Sequence, residues 1–293
     1  MKALERYFRI LEGEEGPKFA KADLEGIGAA AKRLVKKCRL CERRCGAKRL
    51  EGETGFCGAP GELVVSSIFP HFGEEEFLVP SLTVFFCGCT FSCAFCQNWE
   101  ISRWFETGKR LGPEELASEI DRLSPGCRNV NLVGGEPTPY LPWIIETLKF
   151  VRTRLPVIWN SNFYMTAEVV EILNRVIDVY LSDWKYGNDR CAERLSGVKN
   201  YWSAVRRNHD DVFGRADLVI RHLVLPNHFS CCTEPVLKYI ADNYGERVVV
   251  NIMAQYRPEY RASEHRDISR RPNKEELEKS WKLADDLGLN WIK

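Results

Sequence analysis

Three cysteines, Cys89, Cys93 and Cys96, stand in C-x3-C-x2-C spacing within the run FCGCTFSCAFCQN. Random placement of the chain's twelve cysteines would produce this spacing about 0.02 times. A closed structural zinc or iron–sulfur site takes four protein ligands, so three thiolates on one loop leave a metal position open to a substrate or cofactor. Cys87 lies only two residues from Cys89, at the end of an apolar run, and is expected as a neighbour of the triad.

A second group, Cys38, Cys41, Cys45 and Cys57, has the spacing C-x2-C-x3-C-x11-C. Four thiolates close a coordination sphere, and structural zinc and an auxiliary [4Fe–4S] cluster both satisfy it. Either metal would order a Gly-rich loop in which no apolar periodicity survives. Cys127, Cys191, Cys231 and Cys232 have no ligand-like spacing and read as packing thiols. Of the five histidines, only His228 is expected to face the site.

Further polar residues follow apolar runs in order along the chain. Gly134, Gly135 and Glu136 lie in NLVGGEPT, where a glycine pair lets backbone approach a ligand closely. Asn160, Ser161 and Asn162 lie in NSNFY, Asp183 and Lys185 in SDWK, and Arg221 opens RHLVLPNH.

With aromatic Phe95 just before Cys96, CTFSCAFC resembles the signature of the radical SAM superfamily. The resemblance implies that Cys89, Cys93 and Cys96 form the catalytic set, holding a [4Fe–4S] cluster whose open iron binds the amino and carboxylate groups of S-adenosylmethionine. It implies cofactor contacts at Phe95, at Gly134, Gly135 and Glu136, which resemble the motif receiving the methionine amino group, and at Asn160, Ser161 and Asn162. Asp183 and Lys185 match the D-x-K stretch that, in activases of glycyl radical enzymes, lies beside the methionine carboxylate and ribose, and Arg221 matches a later cofactor contact. Those activases have an Asp-Thr-Asn run at the third strand; here Asn160-Ser161-Asn162 lacks the carboxylate, so the resemblance stops short of their monovalent-cation site.

Together with the four N-terminal cysteines, the motifs are similar to the pyruvate formate-lyase-activating-enzyme homologues called PflX-like. The implied activity is an oxidoreductase's: reductive cleavage of S-adenosylmethionine to a 5′-deoxyadenosyl radical, which abstracts hydrogen from a glycine of a partner protein. The alternative is radical modification of a small molecule, a cofactor precursor or another peptide site. A flavodoxin or ferredoxin is the implied reductant.

The elements that must position these residues are legible as repeated βα units. SLTVFF, RNVNLV, PVIWN, IDVYLSD, DLVIRHLVL and RVVVNIM are rich in β-branched or aromatic residues, and helical patterns separate them. The pattern predicts an α/β fold with a parallel sheet, an incomplete (β/α)6 barrel over residues 81–293 whose chemistry sits at the carboxyl ends of the strands. Residues 1–80 form a Cys-rich N-terminal extension bearing the second metal site.

Composition narrows the function further. The chain has 293 residues, 44% of them hydrophobic, enough for one substantial core, and its net charge of +1 gives no general attraction to nucleic acid. Residues 30–49 carry nine Lys or Arg against the single acid Glu42 and read as a solvated helix face and loop. Around Lys36 and Arg44 the same run could dock an acidic electron donor. It has no interleaved aromatics, which argues against a non-catalytic RNA-binding or electron-transfer adaptor. With no 18-residue apolar segment and no cleavable leader, a cytoplasmic protein without a membrane partner is expected.

Overall fold

In the computed structural model, which describes residues 2–73, 75–105 and 108–293, strand β1 (Leu63–His71) runs antiparallel to β2 (Ser81–Phe86), and β3 (Lys109–Leu111) pairs antiparallel on the other edge of β1. From β2 onward the pairing is parallel, through β4 (Asn129–Gly134), β5 (Val157–Ser161), β6 (Val179–Asp183), β7 (Asp217–Leu223), β8 (Val249–Met253) and the short β9 (Trp291–Ile292). The nine-stranded order among the described residues is β3-β1-β2-β4-β5-β6-β7-β8-β9. The six expected strands are β2 and β4 to β8, and residues along β5 and β8 are buried throughout, as parallel strands covered on both faces should be. Strand β1 precedes the expected boundary at residue 80 yet is hydrogen-bonded into the same sheet.

Helices α1 (Glu5–Leu11), α2 (Leu24–Lys36), α3 (Pro113–Leu123), α4 (Leu141–Leu148), α5 (Ala167–Leu173), α6 (Asp189–Ser196), α7 (Tyr201–Val212), α8 (Glu234–Asn243) and α9 (Lys274–Asp286) complete the fold. Their ends follow local chemistry. Asn188 caps α6 by accepting from Cys191 N at 2.8 Å, and Gly197, at φ +63°, terminates it. None of the helices among the described residues is long and apolar enough to cross a membrane.

Residues 3–7 close the amino ends of the strands. Leu4 and Tyr7 pack with Ile158, Val179, Leu181, Val219 and Val249 in a small apolar cluster, and Tyr7 N donates to Asp217 Oδ2 at 2.7 Å. That plug leaves the opposite, carboxyl end of the sheet for the loops that carry the candidate ligands.

Candidate active site

The loop after β2 turns at Gly88, whose φ of +82° disfavours any side chain. It brings Cys89, Cys93 and Cys96 together around one cavity of about 210 Å³, with Phe95 beside them. Cys87 turns its sulfur toward Gly108, where an added Cβ would stand 3.0 Å from it. The loop hangs from the end of α6: Ser92 N and Ala94 N donate to Ser196 O and Leu195 O at 2.9 and 2.8 Å. Ser196 Oγ also donates to Cys93 Sγ at 3.0 Å. Phe95 packs edge-on against Tyr186 and Tyr256, with centroids 6.5 and 5.6 Å away.

The carboxyl ends of β4 and β5 form the next wall. Gly134 has φ +117°, and a Cβ there would overlap the Phe86 backbone; at Gly135 it would overlap Gly88 O. Both glycines are therefore needed for β4 to reach the cysteine loop, before any ligand is considered. The Glu136 carboxylate is buried among donors: Oε1 accepts from Thr138 N (3.2 Å), Thr138 Oγ1 (2.5 Å) and Ser161 Oγ (2.8 Å), and Oε2 from Asn162 N (3.0 Å). Burial raises its pKa, against those donors. Asn162 Nδ2 donates to Thr90 Oγ1 at 2.8 Å and reaches Cys89 Sγ at 3.8 Å, while Asn160 and Ser161 line the same cavity.

Strands β6 and β7 supply the charged side of the cavity. Lys185 Nζ pairs with Asp183 Oδ2 at 2.7 Å. Burial pulls the Lys185 ammonium down, but the Asp183 carboxylate and the nearby Cys93 outweigh it and hold its pKa above the ordinary value. Arg221 lines the cavity with its guanidinium already engaged: Nε and Nη2 donate to the two oxygens of Glu75 at 2.8 and 2.6 Å, and Asn251 Nδ2 donates to Glu75 at 2.7 Å. Glu75 and Ser196 are site residues that the sequence did not reveal; their contacts with Arg221 and Cys93 cross more than 100 residues.

Burial raises the Cys89 thiol well above its ordinary pKa, and Glu136, Cys93 and Cys96 push the same way. It pushes Cys93 up to about 11, with Lys185 pulling back. Without a cation these thiols keep their protons; a bound metal displaces them. The donor set thus suits a thiolate-bound metal centre with one side open to a ligand that carries both ammonium and carboxylate.

The N-terminal cysteines stand beside this cavity. Cys38, Cys41, Cys45 and Cys57 line a separate small void with Thr90 and Thr138. The loop that carries them is tied to β5 and the triad loop: Glu42 N donates to Tyr164 O at 3.2 Å, and Arg43 Nε to Thr90 O at 2.6 Å. Burial pushes Cys41 up to about 12. Arg49 is 1% exposed and donates to Ala59 O (3.0 Å), Pro139 O (2.5 Å) and Pro60 O (2.5 Å). Of the nine basic residues in the run, Arg49 is buried and Arg43 half-buried; the other seven, Lys36 and Arg44 among them, are exposed.

His228, expected to face the site, instead turns toward α6, where its Nε2 meets Arg194 Nη2 at 3.1 Å.

The profile of the Radical SAM superfamily matches residues 83–240. The chain is 47% identical over 270 residues to the protein named Uncharacterized protein MJ0674 of Methanocaldococcus jannaschii, covering 89% of this chain and 78% of that one. Its fold is similar to methylornithine synthase (PylB), with a TM-score of 0.50 at 13% identity over 98% of this chain and 85% of the other. It is also similar to Streptococcus suis SuiB, solved bound to the precursor peptide SuiA, with a TM-score of 0.50 at 16% identity. That match covers 69% of this chain and 46% of SuiB, so the chain spans less than half of SuiB's length. The chain belongs to the radical SAM superfamily and is a radical SAM enzyme, a family that implies a [4Fe–4S] cluster and S-adenosylmethionine.

Proposed function

We propose that Cys89, Cys93 and Cys96 hold the [4Fe–4S] cluster beside S-adenosylmethionine, and that the hydrogen donor is a glycine Cα of a partner protein, as for the activases of glycyl radical enzymes. The observation that carries the reading is the meeting of three thiols, Glu136 and the Asp183–Lys185 pair in one cavity, at the carboxyl ends of β2, β4 and β6. When bound, the cluster supplies the electron that splits S-adenosylmethionine into methionine and a 5′-deoxyadenosyl radical, which takes the substrate hydrogen.

The chain's own residues orient and enclose. Glu136 Oε2, with one backbone donor on it, accepts the ligand ammonium, and Gly134 and Gly135 admit it without a side chain in the way. Lys185 pairs with the ligand carboxylate, and Asp183 faces the ribose hydroxyls. Asn160, Ser161 and Asn162 complete that wall, Phe95 keeps water from the thiols, and Arg221 is held as part of the floor by Glu75. Among the described residues the sheet ends in β3 and β9 without closing, and a partner's loop would enter between them. The peptide bound to SuiB supports a peptide substrate on this fold.

The N-terminal cysteines would take structural zinc or an auxiliary cluster, in keeping with a PflX-like branch and a Cys-rich extension before residue 80. A flavodoxin or ferredoxin, docked on the exposed Lys36 and Arg44, would supply electrons.

A small-molecule substrate is the second reading. Tyr260 stacks on Trp99 at 5.6 Å and Arg261 N donates to Ala94 O at 2.8 Å, so the segment after β8 narrows the mouth. Anaerobic reconstitution, reduction and addition of S-adenosylmethionine, with mass spectrometry of 5′-deoxyadenosine, tests both. Deuterium transferred from a partner carrying Cα-deuterated glycine supports the activase-like role; transfer only from a deuterated metabolite extract favours the second reading. Full iron occupancy with no product, and no effect of S-adenosylmethionine on the cluster's EPR spectrum, would sink the assignment of the triad.

A further inference from the structure

Cys191 on α6 and Cys231 in the turn after β7 are 40 residues apart in sequence, yet their sulfurs lie 3.9 Å apart. His228 joins them: the ligand atoms of Cys191, His228 and Cys231 all lie within 4.8 Å of one another. Cys232 Sγ is a further 3.9 Å from Cys231 Sγ. Cys191, His228 and Cys232 are 7%, 2% and 1% exposed, and Cys231 is partly open to solvent. None of these residues lines the cavity of the triad.

Three features of the geometry go beyond thiol packing. Two sulfurs on a tetrahedral zinc are about 3.8 Å apart, from bonds of about 2.3 Å, and both sulfur pairs here are at 3.9 Å. His228 Nδ1 lies 2.8 Å from Pro226 O, a contact that requires Nδ1 to carry the proton and leaves Nε2 with a lone pair, which accepts from Arg194 Nη2 at 3.1 Å and which a metal would take over. Metal-binding histidines are oriented by such a bond to a backbone carbonyl. The backbone around the group is also fixed: Asn188 Nδ2 donates to Cys231 O at 2.6 Å, and a Cβ at Gly187 would press on Cys231 O and Cys232 O at 2.7 and 2.9 Å.

We propose that Cys191, His228 and Cys231 form a zinc site distinct from the other two cysteine groups, closed by Cys232 once its sulfur, now 3.9 Å from Cys231 Sγ but outside the 4.8 Å group, moves in as fourth ligand. Soft thiolates with one imidazole select a zinc-like ion over magnesium or calcium, and four protein ligands make the site structural. Each thiol that ligates releases its proton to solvent, and no electron is transferred. Arg194, paired with Asp267 at 2.5 Å and 3.1 Å from His228 Nε2, lies next to the excess negative charge of three thiolates. The partly exposed Cys231 provides the entry path.

The site would pin α6 to the turn after β7. The far end of the same helix holds the triad loop through Leu195 O, Ser196 O and Ser196 Oγ, so the metal would steady the cluster loop without touching it.

The test uses the whole chain with its clusters in place. After incubation with Zn²⁺ and desalting, elemental analysis should find one more zinc per chain in the natural protein than in Cys191→Ser/Cys231→Ser, with iron unchanged. Equal zinc in the two would overturn the proposal. A measurement on the natural protein guards against a variant that does not fold: alkylation of Cys231, followed by peptide mass spectrometry, should slow by an order of magnitude with Zn²⁺ and recover with chelator. Alkylation indifferent to zinc, or recovery of a Cys191–Cys231 disulfide from the anaerobic protein, would overturn it equally.

Discussion

Replacing Glu136 by Gln tests the site most directly, because the surroundings dictate how the amide must sit. Three donors, Thr138 N, Thr138 Oγ1 and Ser161 Oγ, converge on Oε1, so the amide oxygen takes that position and the NH2 group replaces Oε2. There it faces Asn162 N, a donor that loses its acceptor. One buried backbone N–H left unsatisfied costs about 1–3 kcal/mol of stability. The substitution also removes the carboxylate proposed to receive the ammonium of S-adenosylmethionine. A hydrogen bond to a charged group is worth about 1.5–3 kcal/mol, so affinity should fall about 10- to 150-fold. Calorimetric titration of the reconstituted protein with S-adenosylmethionine, beside urea unfolding and iron analysis, separates the two effects. A dissociation constant within twofold of the natural protein's, at equal iron content, would refute the role of Glu136.

The pH dependence of the same variant adds a signed check. Because burial holds the Glu136 carboxyl above its ordinary pKa, the folded state binds this proton more tightly than the unfolded chain does. Stability attributable to this group is therefore present at low pH and declines as pH rises from the ordinary carboxylate value through the raised one. Glu136→Gln lacks that slope, so its stability deficit should shrink as pH rises across the window. A deficit that grows instead would show that the carboxyl is not held protonated by burial.

Burial lowers His209 to about 3 and His222 to about 4, so between pH 6.5 and 4 the unfolded chain binds protons that the folded one refuses. Stability should fall with pH in that range, and His209→Gln should remove about 1 kcal/mol per pH unit of the slope averaged from pH 7 to 5, measured by urea unfolding; an unchanged slope refutes the assignment. Arg49→Met should strand two buried carbonyl oxygens, those of Ala59 and Pro139, and a half-buried one, that of Pro60, costing about 2 kcal/mol or more. It should also lower the metal proposed at the N-terminal cysteines while leaving that of the triad, since it removes a cation that favours the Cys38 thiolate; metal analysis of the variant in a Cys89/Cys93/Cys96→Ala background reads that site alone, and full metal there would contradict it.

The parts of the fold that sequence reveals are those whose signal is local. Strands β2 and β4 to β8 are continuous apolar runs, and each candidate motif lies within a few residues of a strand end, so order along the chain becomes order around the cavity. Strand β1 carries a weaker local mark because LVVSSIFPH mixes Ser66, Ser67 and Pro70 into an antiparallel strand, with Pro70 beyond the three residues that pair with β3. Helix α6, DRCAERLS, is eight residues long and strongly polar, held by its Asn188 cap and its burial of Cys191, Ala192 and Leu195. Residues that matter through distant contacts carry no local mark. Glu75 sits in an acidic run that reads as solvated until the fold brings it under Arg221, and Cys191 has no ligand-like spacing until α6 meets the turn after β7.

That short helix turns out to be where three cysteine-bearing segments meet. Its amino end presents Cys191 to His228 and Cys231. Its carboxyl end accepts the backbone of the triad loop at Leu195 and Ser196, and Gly197 O accepts from Arg43 Nη2 at 2.6 Å, the arm of the N-terminal cysteine loop. Arg43 spans the two loops, since its Nε also donates to Thr90 O, one residue past Cys89. A helix of this composition has little intrinsic stability, because two turns do not offset the cost of nucleation. Its position comes from its Asn188 cap, its buried face and these tertiary bonds, to which metals at the proposed sites would add. Loss of metal from any of the proposed sites should therefore speed hydrogen exchange at Ala192 to Ser196, and exchange indifferent to metal removal would refute the coupling through α6.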